Sequence, residues 1–153
     1  HIHTVSAHIS QMYLLLGEQD IANGIKTRRV RSKTLGDHRV DGKNYLTLKG
    51  PKRDGGGSEK ESVISTSLFL EYVNKSSDPT RSEIIKTRYY FIYKNRYWEL
   101  DVFTTPCGQR FILEVEHLPG EDPQTIEPPP FFGPLEDATD NVAFSNQKIS
   151  EKR

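Results

Sequence analysis

The chain has almost no sulfur. Cys107 is its only cysteine in 153 residues. That excludes an internal disulfide and a zinc site built from cysteines. A single cysteine and no signal peptide fit a reducing compartment, with the cytoplasm as the expected location. The chain also lacks a long apolar run. Nothing approaches the ~20 residues a membrane-spanning helix needs, so a transmembrane segment is not expected. It lacks net charge: 21 Lys and Arg offset 21 Asp and Glu. That argues against bulk attraction to DNA or a membrane surface, and leaves room for a local basic pocket. Apolar residues are scarce too, at 34% of the chain, with a mean hydropathy of −0.67. A chain this polar is either disordered or folded around a polar interior. Its 7 Tyr, 7 Phe and 1 Trp favour folding, because they sit in runs with β-branched neighbours. The length fits one domain, 1–153. The first residue is His1, not Met, so a fragment, a processed form or the ordered part of a longer protein is expected.

What is present is mostly short alternating runs. Strands are expected over 9–16, 25–33, 44–49, 59–64, 84–94, 96–103 and 110–117. Asp41-Gly42 and Lys94-Asn95 read as hairpin turns, and Thr105–Gln109 as a longer one. Pro51–Ser58, "PKRDGGGS", reads as a flexible loop. Residues 67–75 carry Leu68, Phe69, Tyr72 and Val73 at helical spacing, with Thr66 or Ser67 as cap. Pro128-Pro129-Pro130 reads as a stiff extended segment. A final short helix is expected within 141–151. The meander predicts a mostly β protein with an antiparallel sheet or barrel and a few short helices outside it.

The alternation sorts charge by strand. Arg29 and Arg31 share a face across Val30, and Lys86, Arg88 and Tyr90 share one on a later strand. Tyr45, Thr47 and Lys49 lie together. Glu59 and Glu61 are paired in the same way, as are Glu99, Asp101 and Phe103, and Ile112, Glu114 and Glu116. An ordinary half-solvated sheet gives one charged face. A closed sheet gives the same pattern with the charges in a lumen, and its economy in apolar residues suits this composition. Basic strands then suit an anion, since Arg forks and Lys ammonium groups meet phosphate oxygens. Glu-x-Glu on a strand points two carboxylates the same way, roughly 6–7 Å apart, a donor pair for a hard cation such as Mg²⁺ or Mn²⁺. His1, His3 and His8 are better read as exposed histidines than as metal ligands. Cys107, in a Pro-Cys-Gly turn, is better read as incidental than as catalytic.

An ordered series of motifs goes further. "KTRYYFIYKNRYWELDVF" (86–103) resembles a K-x-R-Y…E-L-D-V-F hairpin, and "ILEVEHL" (112–118) an L-x-E-V-E strand. The segment 128–149 resembles the ending P-P-x-W-x-G-x-E-V-T-x-D-x-x-Y-x-N-x-x-L, with Asp137 at the Glu position. "ISQMYL" (9–14) resembles I-x-Q-G-Y-L, with Met12 in place of Gly. "RVR" (29–31), "YLTLKG" (45–50) and "EKE" (59–61) resemble the R-x-R, Y-L-T-x-K and E-x-E strands. In this order the motifs resemble those of the CYTH, or triphosphate tunnel metalloenzyme, superfamily.

The resemblance implies an antiparallel β-barrel tunnel and Mg²⁺- or Mn²⁺-dependent chemistry on triphosphates. It implies Arg29, Arg31, Lys49, Lys86 and Arg88 as phosphate-binding residues, and Glu114, Glu116 and Asp137 as metal ligands. Glu59, Glu61, Glu99 and Asp101 would line an acidic wall. The family's first strand, E-x-E-x-K, is not found: "HIHTVSAH" ahead of Ile9 holds neither acid nor lysine. That strand is expected upstream of His1 or lost, so the catalytic residues stay unassigned. The implied ligand is a small phosphate-rich molecule: a triphosphate, a nucleotide or polyphosphate. Hydrolysis is one expectation. A non-catalytic module that binds phosphate or an anionic lipid headgroup, attached to a P-loop nucleotide-binding domain, is another. A vestigial polar interior that only holds the fold is the third.

Overall fold

The computed structural model describes residues 3–36, 42–53, 56–108, 110–139 and 145–152. The strands are β1 (Thr4–Tyr13), β2 (Thr27–Leu35), β3 (Lys43–Arg53), β4 (Gly56–Ile64), β5 (Ile84–Tyr93), β6 (Arg96–Thr105) and β7 (Phe111–Val115). The helices are α1 (Glu18–Ala22), α2 (Thr66–Ser76) and α3 (Asn146–Ile149). All the strands join one antiparallel sheet in the order β4-β3-β2-β1-β5-β6-β7. His1 and the Asp41 end of the expected turn lie outside the described residues.

Each boundary has a local cause. Lys94 and Asn95 both take positive φ, 48° and 60°, which gives the β5–β6 hairpin the twist its strands require. Helix α2 starts one residue earlier than the sequence implies. Its cap is Ser65, whose side chain accepts from Leu68 N at 3.1 Å. The stretch 51–58 does not form the expected loop. β3 and β4 run on through it to Arg53 and from Gly56, with a register shift between Lys49 and Lys52 absorbing the irregularity. Gly56 and Gly57 are themselves paired within β4.

The sheet's two faces are covered differently. On the outer face, Phe91 and Trp98 stack with rings 6.4 Å apart, and Phe132 packs on Phe91 at 6.1 Å. The prolines from Pro128 thus lead into a 3-10 turn, Pro130–Phe132, that covers β5 and β6. Helix α2 lies against the outer face of β2 and β3, with Tyr72 under the Arg28 guanidinium at 5.5 Å. On the inner face, one end is apolar. Tyr13, Ile84, Phe103 and Ile149 form a buried cluster, with Cys107 and Ile112 against it. Helix α3 supplies Ile149 and so closes that end. The tail is tied down by Ser82 N donating to Ser150 O at 2.6 Å and Lys152 N to Thr80 O at 3.0 Å.

The expected closed barrel differs in one respect. Among the described residues no ladder joins β4 to β7, so the sheet is a curled trough open along one seam. β7 has five residues, and both edges carry inward carboxylates: Glu59 and Glu61 on one, Glu114 on the other, followed by Glu116. Facing like charges oppose pairing. The curl is real nonetheless: the charge of Glu114 on β7 acts on Lys49 of β3. No helix among the described residues is long and apolar enough to cross a membrane.

Candidate phosphate-binding site

The register decides which side chains share the inner face. On β1 it presents Ala7, Ile9, Gln11 and Tyr13, all buried. Gln11 stands opposite Arg31 and Tyr13 opposite Arg29. Lys86 pairs with Ile9, and Arg88 with Ala7. Thr47 lies opposite Arg29 and Tyr45 opposite Arg31, with Lys49 next on the same face of β3. Glu59 and Glu61 face Lys49 and Thr47. Asp101 pairs with Arg88, Glu99 with Tyr90 and Glu114 with Glu99. Glu116 continues past β7, its backbone N donating to Tyr97 O at 3.3 Å. The basic and acidic residues read from the alternation therefore all project into one trough.

Asp137 does not. It is exposed in the segment after the 3-10 turn, where its carboxylate accepts from Thr139 and Gln124. Those hydrogen bonds hold its carboxyl below the usual range. Among the described residues no group of three His, Cys, Asp or Glu side chains could hold a metal ion. Glu114 and Glu116 thus stand as a pair without the expected third carboxylate.

The cations divide into two sets. On β5 the charge is already neutralised. Asp101, 2% exposed, accepts from Lys86 Nζ at 2.8 Å and from Arg88 Nε at 2.7 Å. Arg88 also meets Glu99 at 3.2 Å, and Lys86 donates to Asn146 at 3.1 Å. Burial pulls the Arg88 pKa down, but the hydrogen bonds and charge of Asp101 raise it overall. Burial lowers that of Lys86, with Asp101 opposing. The Asp101 carboxyl is held below the ordinary value: burial raises it, but the hydrogen bond from Arg88 and the charge of Lys86 outweigh that.

The β2 and β3 wall is different. Arg31 reaches Glu61 at 3.3 Å, an oxygen shared with Thr47, and its Nε has no partner. Arg29 is buried, and its Nε is unpartnered too. Burial and the neighbouring charge of Arg29 both lower the pKa of Arg31, and the same causes lower that of Lys49. Both cations are partly desolvated and crowded by Arg29, which disfavours their charged forms relative to water. Toward the end away from α3 the wall becomes aromatic. Tyr90 and Tyr97 stack at 6.1 Å, Lys33 sits over Tyr90 at 5.0 Å, and Arg31 over Tyr45 at 5.6 Å.

Some of these roles were not visible in sequence. Gln11 is buried beside the arginines, and its signal was the I-x-Q motif on an alternating strand. Thr47 and Asn146 act only through partners distant in sequence.

The low pKa of Asp101 has a pH consequence. Its unfolded value is about 3.9. A depressed folded value gives stability that is present above that pH and lost as pH falls through the folded one. The gap in melting temperature between wild type and Asp101→Asn is expected to narrow below about pH 4. Thermal melts of both proteins across pH 2–7 measure it; a constant gap contradicts the assignment.

No family model matches this sequence, and no curated protein does either. Solved structures match throughout. The inorganic triphosphatase NE1496 aligns with a TM-score of 0.63 at 26% identity, over 98% of this chain and 87% of its own. A second structure of NE1496 gives 0.60 at 26% identity over the same shares. PH1819 from Pyrococcus horikoshii OT3 aligns at 0.52 and 23% identity, over 79% of this chain and 68% of its own, a likeness of fold alone. In fold this chain is similar to the inorganic triphosphatase NE1496, and that likeness agrees with the resemblance of its ordered motifs to the CYTH, or triphosphate tunnel, superfamily.

Proposed function

We propose that the trough binds a triphosphate or polyphosphate chain together with a divalent metal, Mg²⁺ or Mn²⁺, and hydrolyses its terminal phosphoanhydride. The observation that supports this most is the under-neutralised wall of Arg29, Arg31 and Lys49, in a fold shared with an inorganic triphosphatase. Arg29 and Arg31 offer planar forks to nonbridging oxygens, and Lys49 a point charge. Lys86 and Arg88 do not grip the phosphates directly, because Asp101 already occupies both and Glu99 meets Arg88.

Glu114 and Glu116 would hold the metal jointly with ligand phosphates. A pair of carboxylates fits that role, since Mg²⁺ usually keeps waters and takes one or two carboxylates plus substrate oxygens. When bound it supplies charge neutralisation at the transferring phosphoryl group. The chain's own residues position and stabilise: Arg29, Arg31 and Lys49 hold the phosphates in line, and charge developing on the equatorial oxygens meets their donors. Water attacks the terminal phosphorus and gives up a proton to solvent, the P–O bond to the bridging oxygen breaks, and the shortened phosphate leaves with that bond's electron pair.

A second reading is a binding module without turnover. It is favoured by the absence of a three-carboxylate group among the described residues. Phosphate release from tripolyphosphate with Mg²⁺ or Mn²⁺ separates the two. Wild type is expected to release phosphate, and Glu116→Gln to abolish the metal-stimulated release. Equal turnover in Glu116→Gln contradicts the hydrolytic reading. Tight binding with no release in wild type supports the module.

A further inference from the structure

Gln11 lies in the middle of the central strand and faces the trough, between Arg31 on β2 and Ile84 on β5. It is 1% exposed. Neither its Nε2 nor its Oε1 has a hydrogen-bond partner among the described residues. Leaving a buried amide unsatisfied is costly, and native chains keep few such groups. Its neighbours share the condition. Arg31 Nε, directly opposite, and Arg29 Nε, one inward position along, are also buried and unpartnered. Adjacent positions on two strands therefore present a cluster of N–H donors with no acceptor. An anionic oxygen satisfies them together.

The amide adds what the guanidiniums lack. It is neutral, directional and able to accept as well as donate. We infer that Gln11 is a ligand contact on the floor of the trough: Nε2 donates to a phosphate oxygen held by Arg29 and Arg31, and Oε1 accepts from a hydroxyl or water carried with that phosphate. This deepens the polyphosphate reading and rests on it. Arg31 is held to Glu61 at 3.3 Å, long for a charge-assisted contact, so the guanidinium can swing onto an arriving anion and uncover the amide.

The contrary role is purely architectural, with Gln11 filling space beneath the arginines. Gln11→Met distinguishes them, because it conserves volume while removing both polar atoms. Tripolyphosphate with Mg²⁺ is titrated calorimetrically into wild type and variant, and both are melted without ligand. The contact predicts a rise in Kd of about tenfold to a hundredfold, with an unchanged or higher melting temperature. An architectural role predicts that stability and affinity fall together, or that affinity does not move; either overturns the inference and leaves the phosphate reading standing. Gln11→Glu serves as a second variant should Met fail to fold. Its carboxylate would neutralise Arg29 and Arg31, so it should retain the melting temperature and bind tripolyphosphate more weakly than wild type. Equal binding by Gln11→Glu also overturns the inference. Wild type that does not bind tripolyphosphate overturns this inference and the phosphate reading together.

Discussion

Replacing Arg31 with alanine is expected to raise the Kd for tripolyphosphate by about a hundredfold while leaving the ligand-free protein as stable as before. The two halves of that result have one cause. Arg31 is desolvated, sits beside Arg29, and has one unpartnered nitrogen, so the folded chain gains little from its charge. A bound phosphate gains much, because a guanidinium fork meets two oxygens at once. Arg31→Lys should fall between, since lysine keeps the charge and loses the fork. Calorimetry at fixed salt, with a thermal melt of each variant, reads both effects. A parallel loss of stability and affinity would show that Arg31 holds the trough together instead of serving a ligand.

Asp101→Asn should do the opposite. Asp101 is the buried counter-ion of both Lys86 and Arg88, at 2.8 and 2.7 Å. Neutralising it leaves buried Lys86 facing half-buried Arg88, with Asn146 as the remaining named partner of Lys86 and Glu99 that of Arg88. Breaking such a pair costs about 3–5 kcal/mol. For a chain of this length that is a drop in melting temperature of roughly 6–20 °C. Lys86 then lacks an anion and Arg88 keeps only Glu99, so tripolyphosphate should restore more of the melting temperature in Asp101→Asn than it adds to wild type. A variant as stable as wild type contradicts the buried-pair account. A variant that the ligand does not rescue contradicts the claim that Lys86 and Arg88 border the ligand space.

The contrast between Arg31 and Asp101 also marks how far the sequence could be read. A strand shows its two faces by a period of two, so Arg29, Arg31, Lys49, Lys86, Arg88, Glu114 and Glu116 could be assigned to one face by counting. Their sharing a trough depends on register between strands, and the ordered motifs anticipated it. Which cations are already neutralised was not legible. Asp101 meets Lys86 and Arg88 across a hairpin, and Lys86 meets Asn146 60 residues away. Pairing of that kind follows from register and burial, which no single segment encodes. Asp137 shows the converse. Its position in the closing motif implied a metal ligand, but Thr139, two residues on, offers it both a backbone and a hydroxyl donor. A local turn took the carboxylate that the motif would have sent inward. The segment 51–58 was misread for a related reason: its glycines signalled a loop, while strand pairing from Lys49 outward carried the hairpin nearly to its tip.

The central claim is that the β2 and β3 wall is built for a phosphate-rich anion. A calorimetric titration of the wild-type chain with tripolyphosphate and Mg²⁺, repeated at rising salt, tests it most directly. The account predicts saturable binding that weakens steeply with salt and is lost on replacing Arg29 and Arg31 together. Heat no different from dilution, or binding untouched by that double replacement, would contradict it.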